Sequence, residues 1–408
     1  MKFLNPSSKQ FLKICQRRFQ IKSRIRESVF KILEDVRKYQ DKALVYYTKK
    51  FDKVKLSIKN LKVTESEISS AFQSIDTDFV RKLKEIIQRI TNYYKAQLKN
   101  WNFKFKSSEG SKIEERKIPL ESVGIYVPAG TAPLVSCVYM SAIPAQVAGV
   151  KNITLVSPPD KNGRINPYIL VVASLLNIKK IYKVGGAQAI GALAFGTQSI
   201  SPVDKIVGPG NYYVTEAKRQ VFGFVDIDML AGPSELVIMA TNFTDFNFVV
   251  KDLKAQEEHF GGQVFLITNS LKLAKFVKNK VSSGYIIVVK NLLKACEFVN
   301  KIAPEHLQLM VKTPYRFLKF IKNAGAIFLG NNSPVAVGDY VAGPSHVLPT
   351  QGSARFFSGL GLHTFLKTIH IIDFSKKEVE KVQPLVEMIA NLEGMKAHLE
   401  SVNIRIGK

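Results

Sequence analysis

The sequence predicts an α/β fold of two open, Rossmann-like parallel-sheet units with helical N-terminal and C-terminal extensions. From about residue 113, short β-rich runs alternate with helix-length apolar segments across brief turns, the pattern of a parallel sheet covered on both faces. A second series of the same kind opens at Glu235. The chain has 408 residues, 46% of them apolar, which exceeds one ordinary core and asks for two or three domains.

In chain order, residues 1–22 form a basic, weakly patterned arm. Over 24–50 and 65–101 apolar residues recur three and four apart, as in Phe72, Ile75, Phe79, Leu83, Ile86, Ile87 and Ile90. This spacing predicts long amphipathic helices packed on something larger. The first β-α series reads as strands at 153–156, 180–184 and 205–207 with helices at 167–176, 187–195 and 211–221. The second reads as strands at 235–240, 263–268, 285–289, 307–311 and 326–329, the first of them followed by a helix ending near His259. Beyond residue 351 the pattern is irregular until a helix-like segment at 382–399.

The totals set aside several classes. The strongly apolar stretch at 168–178 falls well short of the roughly 20 residues that cross a bilayer. Lys9, Lys13, Arg17 and Arg18 stand where a signal peptide would carry its apolar segment, so a cytoplasmic protein without a membrane partner is expected. Cys15, Cys137 and Cys296 are odd in number and lack Cys-x-x-Cys spacing, so a bound metal must take N and O ligands. The net charge of +26 raises nucleic-acid binding, but the lysines are scattered, with no zinc finger and no aromatic-interleaved basic strip. A genome biased towards Lys, Ile and Asn codons accounts for the charge, and no nucleic-acid partner is expected.

The chemistry centres on Lys301-Ile-Ala-Pro-Glu305-His306-Leu-Gln-Leu-Met310, where a carboxylate and an imidazole adjoin in a proline-pinned loop that enters a short buried strand. Such a pair offers two proton-transfer groups of different basicity; the plain alternative is a capped loop with ordinary hydrogen bonds. Gly185-Gly186-Ala-Gln188 and Gly208-Pro-Gly210-Asn211 are glycine turns leading into helices at the carboxyl ends of strands, suited to phosphate or else simply tight turns. The Gly-x-Gly-x-x-Gly fingerprint is absent. His259, His306, His346 and His398 stand beside other polar groups; His363 and His370 read as structural. Gln256 and His259 lie three apart on one helix face, and Asp339 shares the Pro/Gly-rich loop 333–350 with His346. Imidazole, carboxylate and amide donors without thiolate suit zinc, and also manganese or cobalt; each is otherwise a surface or capping residue.

These residues sit in motifs that resemble the histidinol dehydrogenase family. They include Val-Gly-Ile-Tyr126-Val-Pro, Val184-Gly-Gly-Ala-Gln188, Val207-Gly-Pro-Gly-Asn211, Ala231-Gly-Pro-Ser234-Glu, Gln256-Glu-Glu-His259, Pro304-Glu-His306-Leu, Gly338-Asp-Tyr340 and His346-Val-Leu-Pro-Thr350, in that order. The resemblance runs from roughly residue 120 to 400. It implies one zinc per subunit held by Gln256, His259, Asp339 and, from the partner of a homodimer, His398. It implies substrate contacts from Ser234, His346 and Glu393, joined by His306 and the four zinc ligands. Tyr126, Gln188 and Asn211 match positions that contact NAD, and Glu305 and His306 match the acid–base pair. Two departures are Ala129, where the family commonly has a glycine, and Phe260 after the zinc histidine, where positive φ is otherwise accessible.

The implied division is an arm (1–22), a first α/β domain (23–122 plus 236–350) with the metal and acid–base residues, a second, cofactor-binding α/β domain (123–235), and an extension (351–408) reaching the partner subunit. The implied reaction is oxidation of L-histidinol through L-histidinal to L-histidine, reducing two NAD. His306 serves as base for the alcohol, Glu305 activates water for the aldehyde, and zinc positions the substrate. Cys137, in an apolar stretch without an adjacent base in sequence, is a rival thiol nucleophile or a buried structural residue. A zinc hydrolase without cofactor, or a basic nucleic-acid binder, are the other function classes.

Overall fold

The structure, a computed structural model, describes residues 1–16, 21–98, 103–129, 133–259 and 261–408. Arg17, Arg18, Trp101, Gly130 and Phe260 therefore lie outside the described residues. The chain forms two compact units, one of Met1–Ala96 with Leu120–Phe365 and one of Gln97–Pro119 with Leu366–Lys408.

The first unit opens with β1 (Lys2–Phe3) and α1 (Lys9–Cys15). The 24–50 pattern forms two helices, α2 (Ser23–Tyr39) and α3 (Asp41–Phe51), because Gln40 at φ 50° leaves the helical region. Likewise 65–98 divides into α4 (Glu65–Gln73) and α5 (Thr77–Leu98), with α4 started by a Thr64–Glu67 capping box.

Next comes a parallel sheet. Its elements are β4 (Ser122–Tyr126), α6 (Val135–Ala148), β5 (Asn152–Ser157), α7 (Pro167–Leu175), β6 (Lys180–Lys183), α8 (Gly186–Phe195), β7 (Lys205–Val207), α9 (Tyr212–Val221) and β8 (Asp226–Ile227). Strand order is β6-β5-β4-β7-β8, so the winding reverses between β4 and β7. Helices α6 and α8 are apolar on every face because they are buried among sheet and helices. Helices α2 and α3, grouped by sequence with 236–350, pack here instead: Val29, Leu33, Val36 and Leu44 share a core with Ile190, Leu193 and Val214. Gly191 makes that approach possible, since a Cβ there would lie 3.1 Å from Leu33.

The second parallel sheet comprises β9 (Glu235–Ala240), α10 (Phe246–Glu257), β10 (Gln263–Thr268), α11 (Leu271–Lys278), β11 (Tyr285–Val288), α12 (Leu292–Ile302), β12 (His306–Met310), α13 (Tyr315–Leu318), β13 (Ala326–Leu329) and α14 (Val335–Tyr340). Its order is β1-β11-β10-β9-β12-β13, reversing between β9 and β12. Strands β9 and β12 are buried throughout, which is why they read as continuous apolar runs.

The second unit carries what the sequence reading missed, an antiparallel sheet of β2 (Phe103–Lys106), β3 (Lys112–Pro119) and β14 (Leu366–Asp373) in the order β14-β3-β2. The 382–399 segment proves to straddle α15 (Lys376–Glu393) and α16 (Lys396–Asn403), divided at Gly394, whose φ is +71°. Among the described residues no helix is long and apolar enough to cross a membrane.

Candidate active site

The polar groups gather at the amino ends of β9 and β12. Helix α12 ends with Ala303 in the left-handed region at φ 50°, and the chain turns through Pro304 to place Glu305 just before β12. The Glu305 carbonyl accepts from Ala326 N–H at 2.9 Å, which fixes the turn against β13. Gly325 allows this contact, because a Cβ there would stand 2.6 Å from the same oxygen.

Glu305 is only 6% exposed. Its Oε2 accepts from Ser234 Oγ at 2.5 Å and from the backbone N–H of Glu235 at 3.1 Å. Ser234 Oγ in turn accepts from Gln256 Nε2 at 2.8 Å, so the three side chains form one directed relay. Burial pushes the Glu305 carboxyl up to about 8, against a downward pull from the Ser234 bond and the charge of His259. It therefore holds a proton near neutral pH.

His306, the first residue of β12, lies beside that carboxyl and is 2% exposed. Its Nδ1 is 3.7 Å from Glu305 Oε2 and its Nε2 3.7 Å from Asp339 Oδ1, and neither nitrogen has a hydrogen-bond partner among the described residues. Burial pushes the imidazole down to about 4, so it is neutral at pH 7 and the contact with Glu305 is not an ion pair. Two bare ring nitrogens in a buried side chain are unusual and mark a place for a ligand.

Asp339 lies on α14, where the sequence reading had an unstructured loop. Burial raises its carboxyl to about 6. His346 Nδ1 donates to the Asp339 backbone carbonyl at 2.8 Å, leaving Nε2 as the acceptor that faces Cys137 Sγ at 3.4 Å. Cys137 on α6 thus has a base beside it in space, correcting the reading from sequence, where the two are far apart. Burial nonetheless pushes the thiol up to about 12, so it is no ready thiolate.

Ser234, Gln256, Glu305, His306, Asp339 and His346 are thus brought together. His259 follows the last turn of α10 and is exposed; its charge is felt at Glu305, His306 and His346. Glu393 and His398 lie in the other unit, exposed at the end of α15 and on α16.

These donors fit a divalent cation. The partly buried Asp339 carboxylate, raised by desolvation, has no cationic Lys or Arg partner among the described residues, and Gln256, with Nε2 committed to Ser234, keeps its amide oxygen for a cation. Among the described residues no three His, Cys, Asp or Glu side chains gather into a metal site by themselves.

The residues expected to contact NAD lie at the carboxyl ends of the β4 sheet. Tyr126 ends β4, and its hydroxyl accepts from Gly186 N–H, at the start of α8, at 3.1 Å. Gln188 is buried with its amide oxygen unpartnered among the described residues. Asn211 caps α9, accepting from the N–H groups of Tyr213 and Val214 at 2.9 and 3.1 Å, so only its amide NH₂ remains for a ligand. Gly208, at φ +111°, passes so close to β4 that a Cβ would lie 2.2 Å from Tyr126 O. The sequence reading missed what holds this turn. Lys218, 2% exposed, pairs with Asp228 and donates to Gly208 O at 3.0 Å, while Asp228 Oδ2 accepts Gly208 N–H at 2.8 Å. The available signal was a lysine on the inward face of an amphipathic helix.

The family model for histidinol dehydrogenase matches residues 15–406. The histidinol dehydrogenase of Bacillus cereus is 43% identical over 407 residues, covering 94% of this chain and 93% of its own. That of Caldanaerobacter subterraneus is 45% identical over 400 residues, covering 93% and 92%. The crystal structure of the histidinol dehydrogenase from Elizabethkingia anophelis superimposes with a TM-score of 0.94 at 38% identity, covering 100% of this chain and 98% of that one. With an α/β architecture of parallel sheets and a buried Glu305–His306 pair in place, the chain belongs to the histidinol dehydrogenase family of oxidoreductases.

Proposed function

We propose that this protein oxidises L-histidinol through L-histidinal to L-histidine, a four-electron reaction that reduces two NAD in succession. The observation that carries this reading is the Gln256–Ser234–Glu305 relay set beside the bare, neutral imidazole of His306.

In the first step His306 accepts the hydroxyl proton of the alcohol while the carbinol carbon gives a hydride to the nicotinamide. A neutral imidazole is the form able to do so. In the second step water adds to the aldehyde, Glu305 takes the proton from that water, and a second hydride leaves the hydrated carbon. Glu305 must be ionised to act, and its hydrogen bonds from Ser234 and the Glu235 N–H stabilise that form. NAD is held at Tyr126, Gln188 and Asn211. Ser234, His346 and Glu393 contact the substrate.

Gln256, His259, Asp339 and His398 of the partner subunit would hold one zinc ion, which orients the substrate nitrogens and supplies the positive charge Asp339 lacks. A homodimer follows from that shared ligand. The enzyme is taken to work in the cytoplasm, without nucleic-acid or membrane partners.

The test is the amount of NADH formed per L-histidinol consumed, before and after chelator treatment and zinc return. Two, restored by zinc, is the expected result. One places the failure in the aldehyde step, and none from folded, zinc-loaded protein overturns the assignment in favour of a hydrolytic use of the same donors.

A further inference from the structure

A cavity of about 400 Å³ opens beside β6, the outermost strand of its sheet, among groups that the proposed reaction does not use. Its walls carry five cationic side chains, Lys53, Lys55, Lys161, Arg164 and Lys183, against one carboxylate, Glu67. Lys183, at the end of β6, is 5% exposed and lies 2.6 Å from Glu67 Oε1. Glu67 is further engaged by the N–H and hydroxyl of its own N-cap, Thr64, so it has little charge to offer the other cations. Lys55, Lys161 and Arg164 have no ion-pair partner among the described residues.

The walls are built rather than floppy. Asp160 Oδ1 accepts the N–H groups of Asn162 and Arg164 at 2.9 Å each, closing the loop that presents Lys161 and Arg164. Gly163, at φ +75°, lets that loop lie against Leu56 on the opposite wall. The Lys183 N–H donates to Leu61 O at 2.8 Å and ties the base to the same wall. Rigid walls that gather like charges around a hollow raise its potential and leave it short of an anion.

We propose that this cavity binds a phosphorylated small molecule, with Lys55, Lys161 and Arg164 on its phosphoryl oxygens and Lys183 at the base. Three features favour a phosphoryl group: cations from separate segments, a guanidinium fork among them, and an enclosure of small-ligand size. The cations line a concavity rather than a ridge, which suits a small ligand over a nucleic-acid strand.

The experiment is a phosphorus NMR titration of the full-length protein with inorganic phosphate. The double variant Lys55→Ala/Arg164→Ala should weaken binding by at least about tenfold, from the loss of two charge-assisted contacts. The control double variant Lys84→Ala/Lys95→Ala removes equal charge from the exposed face of α5 and should leave binding unchanged. Equal weakening by both doubles would reduce the effect to the general charge of the chain and overturn the proposal. So would the absence of phosphate binding at millimolar concentrations. A further arm identifies the source: displacement of phosphate by saturating NAD assigns the site to the dinucleotide's own phosphates, and retention assigns it to a separate phosphorylated ligand.

Discussion

The two parallel sheets carry their candidate site residues at opposite ends. In the sheet around β4, Tyr126, Gly186, Gly208 and Asn211 lie at the carboxyl ends of strands, where α8 and α9 begin. In the sheet around β9, Ser234 and Glu305 precede β9 and β12, at the amino ends, where α10 and α12 finish. Helix N-termini favour anions and helix C-termini favour cations. The β4 end therefore suits a phosphate-bearing dinucleotide, and the β9 end suits a metal ion beside Asp339 and Gln256. Ligands of open α/β sheets ordinarily sit at the carboxyl ends. The proposed metal at the β9 sheet would depart from that rule, and its opposite charge would account for the departure.

The comparison breaks most directly through the acid–base pair. His306→Asn should lower the rate of alcohol oxidation by about 10²- to 10⁴-fold and leave NAD affinity, measured by fluorescence titration, unchanged. An equal loss in NAD affinity would mean that the two ends are not separate in function. Next in size is Lys218→Met. It leaves Asp228 buried without its partner and should destabilise the protein by about 3–5 kcal/mol in chemical denaturation. It should also raise the KM for NAD while zinc content stays at one per subunit.

Gly325→Ala is the matching change at the β9 end. A Cβ 2.6 Å from the Glu305 carbonyl must displace the turn, so kcat should fall several-fold while the KM for NAD holds. The Glu305 carboxyl offers a pH test. In chelator-treated protein its protonated carboxyl band, identified by its disappearance in Glu305→Gln, should titrate by infrared spectroscopy at about 8. Because folding raises this pKa from 4.5, its contribution to stability is fully present below 4.5 and is lost as pH rises towards 8. Smallest is Cys137→Ala, which should retain both oxidations; abolition of the aldehyde step alone would restore the thiol as nucleophile.

How much of this was legible in the sequence follows from burial. Strands such as β10 and β12 are buried on both faces and read as apolar runs, so they were located to within a residue. Strand β3, Lys-Ile-Glu-Glu-Arg-Lys-Ile-Pro, is half-exposed and carries charge on both faces, so it has no alternating pattern, and its partner β2, Phe-Lys-Phe-Lys, alternates over only four residues. Glu305 and His306 announced themselves as neighbours in sequence. The pairs that only folding makes, Cys137 with His346 and Lys218 with Asp228 around Gly208, carry no local pattern and had to be seen in space.

The measurement that bears most directly on the acid–base assignment is the rate of each half-reaction in Glu305→Gln. Glutamine keeps the size and a hydrogen-bonding carbonyl for Ser234 but cannot take a proton from water. Oxidation of L-histidinal should fall by about 10²-fold or more while oxidation of L-histidinol to the aldehyde stays within a few-fold. Equal loss in both half-reactions would contradict the division of labour between Glu305 and His306.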